Sequence, residues 1–128
     1  LEQQEYDYRY KSSLMPEYAR FKENYRDDSA NGLTKCIVTW FKINGHFATR
    51  ITSTGTYRPE LKKFIPSTQR KGTPDITAIV NGLAVWIEVK IGHDRMSEDQ
   101  IQVKAEMEQS GAKYIIARSF TQFLNEIQ

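Results

Sequence analysis

Apolar positions along the chain change their period several times, and each change marks a boundary between elements. From about Asn31, residues Leu33, Ile37, Trp40 and Phe41 recur at helical spacing until Gly45, which offers a C-terminal cap. Phe47, Thr49, Ile51 and Ser53 then alternate with Ala48, Arg50 and Thr52, the period of a short strand ending in the turn-prone Ser53-Thr54-Gly55. Residues 56–73 hold two prolines and no period. A long loop of that kind in a small domain is more often functional than filler. Two β-rich runs, Asp75 to Val80 and Leu83 to Ile91, meet at Asn81-Gly82, the link most characteristic of a hairpin. Ser97-Glu98-Asp99-Gln100 matches a capping box and opens a helix that Gly111 closes. Lys113 to Arg118 reads as a strand, and Ser119 caps a final helix with Phe120, Phe123, Leu124 and Ile127 on its apolar side. The order of this core is αβββαβα, and it contains no internal repeat.

Residues 1–30 follow a different pattern. Alternating charges are interleaved with Tyr6, Tyr8, Tyr10, Tyr18, Phe21 and Tyr25, which is too aromatic for a disordered tail and predicts an N-terminal appendage with some helix. At 128 residues the chain fits one ordinary domain, placed here over residues 31–128. A formal charge of +2 means that any affinity for nucleic acid must come from local clustering of Lys and Arg. The single cysteine, Cys36, excludes an internal disulfide framework and a Cys-based zinc site. No stretch reaches the apolar length that spans a bilayer, and Leu1-Glu2-Gln3-Gln4 lacks a signal-peptide run, so a cytoplasmic protein is expected. There is no initiator Met, which leaves room for upstream sequence.

The hairpin carries the chemistry. A two-residue turn sets Val80 against Leu83, and counting back along the ladder sets Asp75 against Glu88. Leu83, Val85, Ile87, Val89 and Ile91 then form one apolar face of the second strand, while Ala84, Trp86, Glu88 and Lys90 form the other. Glu88 and Lys90 point the same way, roughly 7 Å apart. Carboxylates whose β-carbons lie about 5 Å apart across a ladder repel one another, and a cation between them relieves this. A hard divalent ion such as Mg²⁺ takes oxygen ligands, needs only one or two carboxylates, and completes its shell with water and substrate phosphate. Lys90 beside the pair supplies a compact charge that can orient or deprotonate a water and favour the crowded phosphate of a transition state. A blander reading stays open at this point, with Asp75 capping a turn after Pro74 and with Glu88 and Lys90 on an exposed charged face.

Gly72-Thr73-Pro74-Asp75, Glu88-Val89-Lys90 and Gln100 together resemble the VRR-NUC branch of the PD-(D/E)xK nuclease superfamily, over roughly Asn31 to Phe123. A bare Asp followed by Glu-x-Lys is common by chance, but the Gly-x-Pro-Asp context, the hairpin and a Gln on the next helix seldom coincide. The resemblance implies a restriction-endonuclease-like α/β core, a mixed sheet flanked by helices. It implies that Asp75, Glu88 and the main-chain carbonyl of Val89 bind Mg²⁺, with Mn²⁺ as a substitute, and that Lys90 serves the attacking water. It further implies an endodeoxyribonuclease that hydrolyses phosphodiester bonds. Stand-alone phage and bacterial members are associated with branched or Holliday-junction DNA in replication, recombination and repair. One departure is that the family usually carries a Glu on the first core helix, whereas no Asp or Glu lies between Asp28 and Glu60 here. Asp28, Glu60 or water is left to fill that place. Gln100 has two readings: it closes the capping box, or it shares a stripe with Val103 and Met107 and turns toward the sheet, where its amide could hold a water or a phosphate oxygen.

Between Thr54 and Thr73, Arg58, Lys62, Lys63, Arg70 and Lys71 stand against one acid, Glu60, a net charge of plus four. A phosphate backbone held there would pass the site at Asp75, and Tyr57 and Phe64 could stack on unpaired bases. The alternative is a solvated loop with Phe64 and Ile65 tucked into the core. His46 and His93 lack zinc spacing. Cys36, Met96 and Met107 read as packing residues. A nucleotide-binding enzyme is disfavoured, since Gly92 and Gly111 stand alone without a phosphate loop. The nuclease reading competes with a catalytically inert DNA-binding or protein-docking module of the same fold. A homodimer is also expected, because one such site cuts one strand and concerted cleavage of two strands needs two. Tyr6, Tyr10, Tyr18, Phe21 and Tyr25 offer it an interface, unless residues 1–30 fold back over their own core.

Overall fold

A computed structural model describes residues 1–51, 56–66 and 68–128. Its helices are α1 (Glu2–Tyr10), α2 (Ala30–Ile43), α3 (Glu98–Gln109) and α4 (Phe120–Ile127). Its strands are β1 (Phe47–Arg50), β2 (Thr56–Arg58), β3 (Lys63–Ile65), β4 (Ile76–Val80), β5 (Leu83–Val89) and β6 (Lys113–Ala117). The start of α2 is fixed by Ser29, whose side chain accepts from the Gly32 N–H at 3.0 Å. Leu33, Ile37 and Phe41, one turn apart, are fully buried. Each contributes about 1.5–3 kcal/mol by leaving water.

β1, β4, β5 and β6 form a mixed four-stranded sheet in that order, antiparallel except for the parallel β5–β6 pair. The β4–β5 turn has φ 51° at Asn81 and φ 83° at Gly82, the left-handed pair that a tight hairpin turn requires. Val80 pairs with Leu83 and Ile76 with Ile87, the register expected from the two-residue link. A parallel pair cannot be closed by a turn, and α3 provides the crossover from β5 to β6. Helices α2 and α4 cover one face of the sheet, burying Ile76, Ala78, Val85, Ile87, Val89, Ile115 and Ala117 beneath Leu33, Ile37, Phe41 and Phe123. α3 lies over the opposite face beside β6, with Val103 buried. The protein is thus a mixed α/β domain with helices on both sides of a mixed sheet.

Three points of the sequence pattern can be set against the structure. The long loop contains a small two-stranded ribbon, β2 against β3, joined by a 3₁₀ turn at Pro59–Leu61 and by Lys62 at φ 49°. Strands of three residues are too short to show a period. β1 ends at Arg50 with Ile51 already outside the strand, and the rest of the expected continuation, Thr52 and Ser53, with the turn at Ser53-Thr54-Gly55, lies outside the described residues. Residues 1–30 fold back against α2, the alternative that the sequence left open beside a dimer interface. Glu5 is 7% exposed, Arg9 and Lys35 both pair with Glu23, and the Phe120 N–H donates to the Asp27 carboxylate at 2.8 Å. Cys36 is buried, as a packing residue should be. Among the described residues no helix is long and apolar enough to cross a membrane.

Candidate active site

Asp75 stands where the loop enters β4. Its carbonyl accepts from the Ile51 N–H at 2.7 Å, which ties it to the end of β1, and its Oδ2 accepts from the Val89 N–H at 2.8 Å. The carboxylate therefore reaches across the hairpin and does not cap a turn. Continuing the Ile76–Ile87 register by one residue places Asp75 opposite Glu88, and continuing it by two places Pro74 opposite Val89. Proline has no N–H, so the Val89 carbonyl finds no ladder donor on that side, and the Val89 N–H turns to the Asp75 carboxylate instead.

Glu88 is 3% exposed although it is a carboxylate. Its Oε1 accepts from Gln100 Nε2 at 3.0 Å and lies 3.7 Å from Lys90 Nζ, while its buried Oε2 has no hydrogen-bond partner. Burial, and after it the neighbouring Asp75 carboxylate, pushes Glu88 up to about 7, with Lys90 pulling the other way. The Lys90 side chain is itself only 13% exposed. Its main-chain N–H donates to the Ala117 carbonyl at 2.9 Å, extending the parallel ladder past β5. Glu88 and Lys90 are thus not an exposed charged face. They are inward groups whose electrostatics are only partly balanced.

Gln100 closes the capping box and also faces the sheet, where its amide meets Glu88 and not a water or a phosphate. Its Oε1 accepts from the Ser97 N–H at 2.9 Å while Ser97 Oγ accepts from the Gln100 N–H at 3.2 Å, which closes the capping box. The amide nitrogen is left free to donate to Glu88. Because the box fixes the amide, Gln100 holds Glu88 through the rigid start of a helix.

Tyr114 gave no sign of itself in the sequence. It pairs with Trp86 in the β5–β6 ladder, on the face that carries Glu88, and it is 8% exposed with a buried, unpartnered hydroxyl. Burial first, then Glu88 and Asp75, push its phenol up. Parallel pairing is set through α3 and not by a local turn, so its register was not readable from spacing.

The donors suit a hard cation. Glu88 Oε2 is an acceptor with nothing to accept from, it lies beside a second carboxylate, and the Val89 carbonyl lacks its ladder donor. Among the described residues no group of three or more His, Cys, Asp or Glu side chains could hold a metal. A cation here would rest on two carboxylates, backbone oxygen and water, a set that Mg²⁺ accepts and zinc does not favour. Asp28 pairs with Arg26 and Glu60 with Arg58, and neither joins Asp75 and Glu88 in a group of three acids among the described residues. The first turn of α2 carries Asn31, whose side-chain oxygen accepts from Arg50 at 2.8 Å.

The loop cations divide into two groups. Arg70 pairs with Glu106, and Lys71 lies 3.3 Å from Asp99, so these two hold the loop to α3. A phosphate would have to replace a carboxylate there, at a cost of about 0–1 kcal/mol for an exposed pair. Gly72 reinforces the contact. Its φ is 89°, and a Cβ there would meet the Asp99 carbonyl at 2.6 Å. Lys62 and Lys63 are exposed and make no ion pair among the described residues, while Arg58 reaches only Glu60. Phe64, which could have entered the core, is 58% exposed. His93 is exposed, and the His46 ring meets the Phe41 ring edge-on. Comparison with known proteins adds no relative: no family model, no curated protein and no solved structure matches the chain.

Proposed function

We propose that the protein is a metal-dependent endodeoxyribonuclease of the VRR-NUC type with a restriction-endonuclease-like core. The observation that carries this reading is Glu88, a buried carboxylate with an unpartnered oxygen, placed beside Asp75 and held by Gln100 and Lys90. Such an arrangement destabilises the fold when nothing positive binds, so a functional reason for it is needed. Asp75, Glu88 and the Val89 carbonyl would hold Mg²⁺, or Mn²⁺ in its place. The bound ion would supply Lewis acidity at a phosphate oxygen and a more acidic water.

The remaining work falls to the chain. Lys90 points its ammonium at the Glu88 carboxylate, where it would orient the attacking water and neutralise charge as the water oxygen bonds to phosphorus and the P–O bond to the leaving strand breaks, the water's proton passing to solvent and a solvent proton reaching the leaving oxygen. Gln100 keeps Glu88 from turning away. Arg58, Lys62 and Lys63 hold the phosphate backbone, with Arg70 and Lys71 available by exchange from their carboxylates. A two-fold homodimer would bring two such sites to one DNA, and Tyr18 and Phe21, 92% and 64% exposed, offer it a surface. The second reading, an inert DNA-binding or docking module, is favoured by the missing third carboxylate. Linear, nicked, flapped and four-way DNA offered with Mg²⁺ or Mn²⁺ separate the two: cleavage of any of them that EDTA stops supports the nuclease, and binding without cleavage supports the module.

A further inference from the structure

Resting on the nuclease reading, the geometry points to the β2–β3 ribbon as a stacking platform for unpaired bases, which selects DNA with single-stranded character for the site. Tyr57 and Phe64 are direct cross-strand partners, so their side chains leave the ribbon on the same face. Both are more than half exposed, at 57% and 58%. Neither ring stacks on the other or on another ring among the described residues. A two-stranded ribbon of this length gains little by itself from showing two aromatic rings to water.

Charge decides which occupant fits. Arg58 and Lys63 are the next pair along the same ladder, and Lys62 sits beside them at the turn, against the single acid Glu60. The period of two sends Arg58 and Lys63 to the face opposite the rings, so they do not rim the stacking face; what matches a chain that alternates flat bases with phosphates is a ribbon that joins two exposed rings to three cations. In duplex DNA both faces of each base are covered by neighbouring bases, so a ring on a ribbon has nothing to stack on. At a flap, gap or branch those faces are open. Along the chain the ribbon follows β1, whose end is tied to Asp75, and precedes the loop that α3 anchors ahead of Asp75.

Binding measured without cleavage isolates this inference from the chemistry. The full chain is titrated in EDTA into fluorescein-labelled oligothymidylate and into a labelled blunt duplex, with Tyr57→Ala/Phe64→Ala and Lys62→Ala/Lys63→Ala as variants. All four positions are exposed, and a circular dichroism spectrum checks each fold. The aromatic variant is expected to lose about tenfold or more in affinity for oligothymidylate, and less than about threefold for the duplex, as the loss of base stacking predicts. The lysine variant should weaken both probes alike and lower the salt slope of each by roughly one or two. Tyr57→Trp should restore or tighten oligothymidylate binding relative to Tyr57→Ala. An aromatic variant that binds oligothymidylate as wild type does, or loses both probes equally, overturns the platform, as does wild-type protein that binds neither. The first of these would favour a protein partner for the ribbon. Cleavage by wild type with Mg²⁺ is scored separately, so the platform can fail while the nuclease stands, and the reverse.

Discussion

Glu88 is the residue on which the account turns, and its position has a thermodynamic consequence that does not require substrate. Its folded value of about 7 lies above the ordinary 4.5, so the folded protein prefers the protonated acid. That preference stabilises the fold fully below about pH 4.5 and is lost as pH rises through about 7. In EDTA, thermal melts should therefore show stability falling by roughly 2–3 kcal/mol across that window. Glu23, held near 2 by Lys35 and then Arg9, titrates below it. Saturating Mg²⁺ should remove most of the fall, because a bound cation stabilises the charged form and binding releases protons as it rises. A melting temperature indifferent to both pH and Mg²⁺ would contradict the assignment. Glu88→Gln preserves the shape and the Gln100 contact but removes the charge. It should raise the EDTA melting temperature at pH 8 while abolishing cleavage, the opposite movement of stability and activity that marks a functional group and not a structural one.

Among the elements, the loop before β4 and the start of α3 act as one unit. Arg70 binds it to Glu106, and Lys71 and Gly72 bind it to Asp99, the residue before the Gln100 that holds Glu88. Gly72→Ala should cost about 1–3 kcal/mol in chemical denaturation from its positive φ alone, with more from the collision with Asp99. It should also lower cleavage. Gly45→Ala is the control: its φ is 80° but a Cβ there meets nothing within 4 Å, so it should lose some stability and no activity. Equal activity loss in both would separate the loop from the site. The hairpin half of this site was legible in the sequence, because Asn81-Gly82 admits one register and a period of two then assigns every side chain to a face. The rest was hidden for identifiable reasons. Tyr114 arrives through a parallel pairing whose register no turn encodes. The β2–β3 ribbon is too short to leave a period, and the pairing of Arg70 and Lys71 with α3 depends on tertiary contact between segments about thirty residues apart. For Gln100 the capping box was legible, whereas the bond from its amide nitrogen to Glu88 was not, because it depends on how α3 packs on the sheet.

For the whole molecule, residues 1–30 pack on α2, and Gly32 admits a close approach: a Cβ there would meet the Arg26 carbonyl at 2.2 Å. The wrapping buries Glu5 but leaves Tyr18 and Phe21 on the outside. Light scattering coupled to size exclusion should report a dimer for the full chain at micromolar concentration and a monomer for Tyr18→Ser/Phe21→Ser, with unchanged circular dichroism. A monomeric wild type that still cuts both strands of a junction would remove the dimer. The measurement that tests the central claim most directly is cleavage of labelled flap and four-way DNA by wild type and Glu88→Gln side by side, with Mg²⁺ and with EDTA. The account predicts product from wild type with Mg²⁺ alone and none from the other three combinations. Cleavage by Glu88→Gln at the wild-type rate, or cleavage that persists in EDTA, would contradict it.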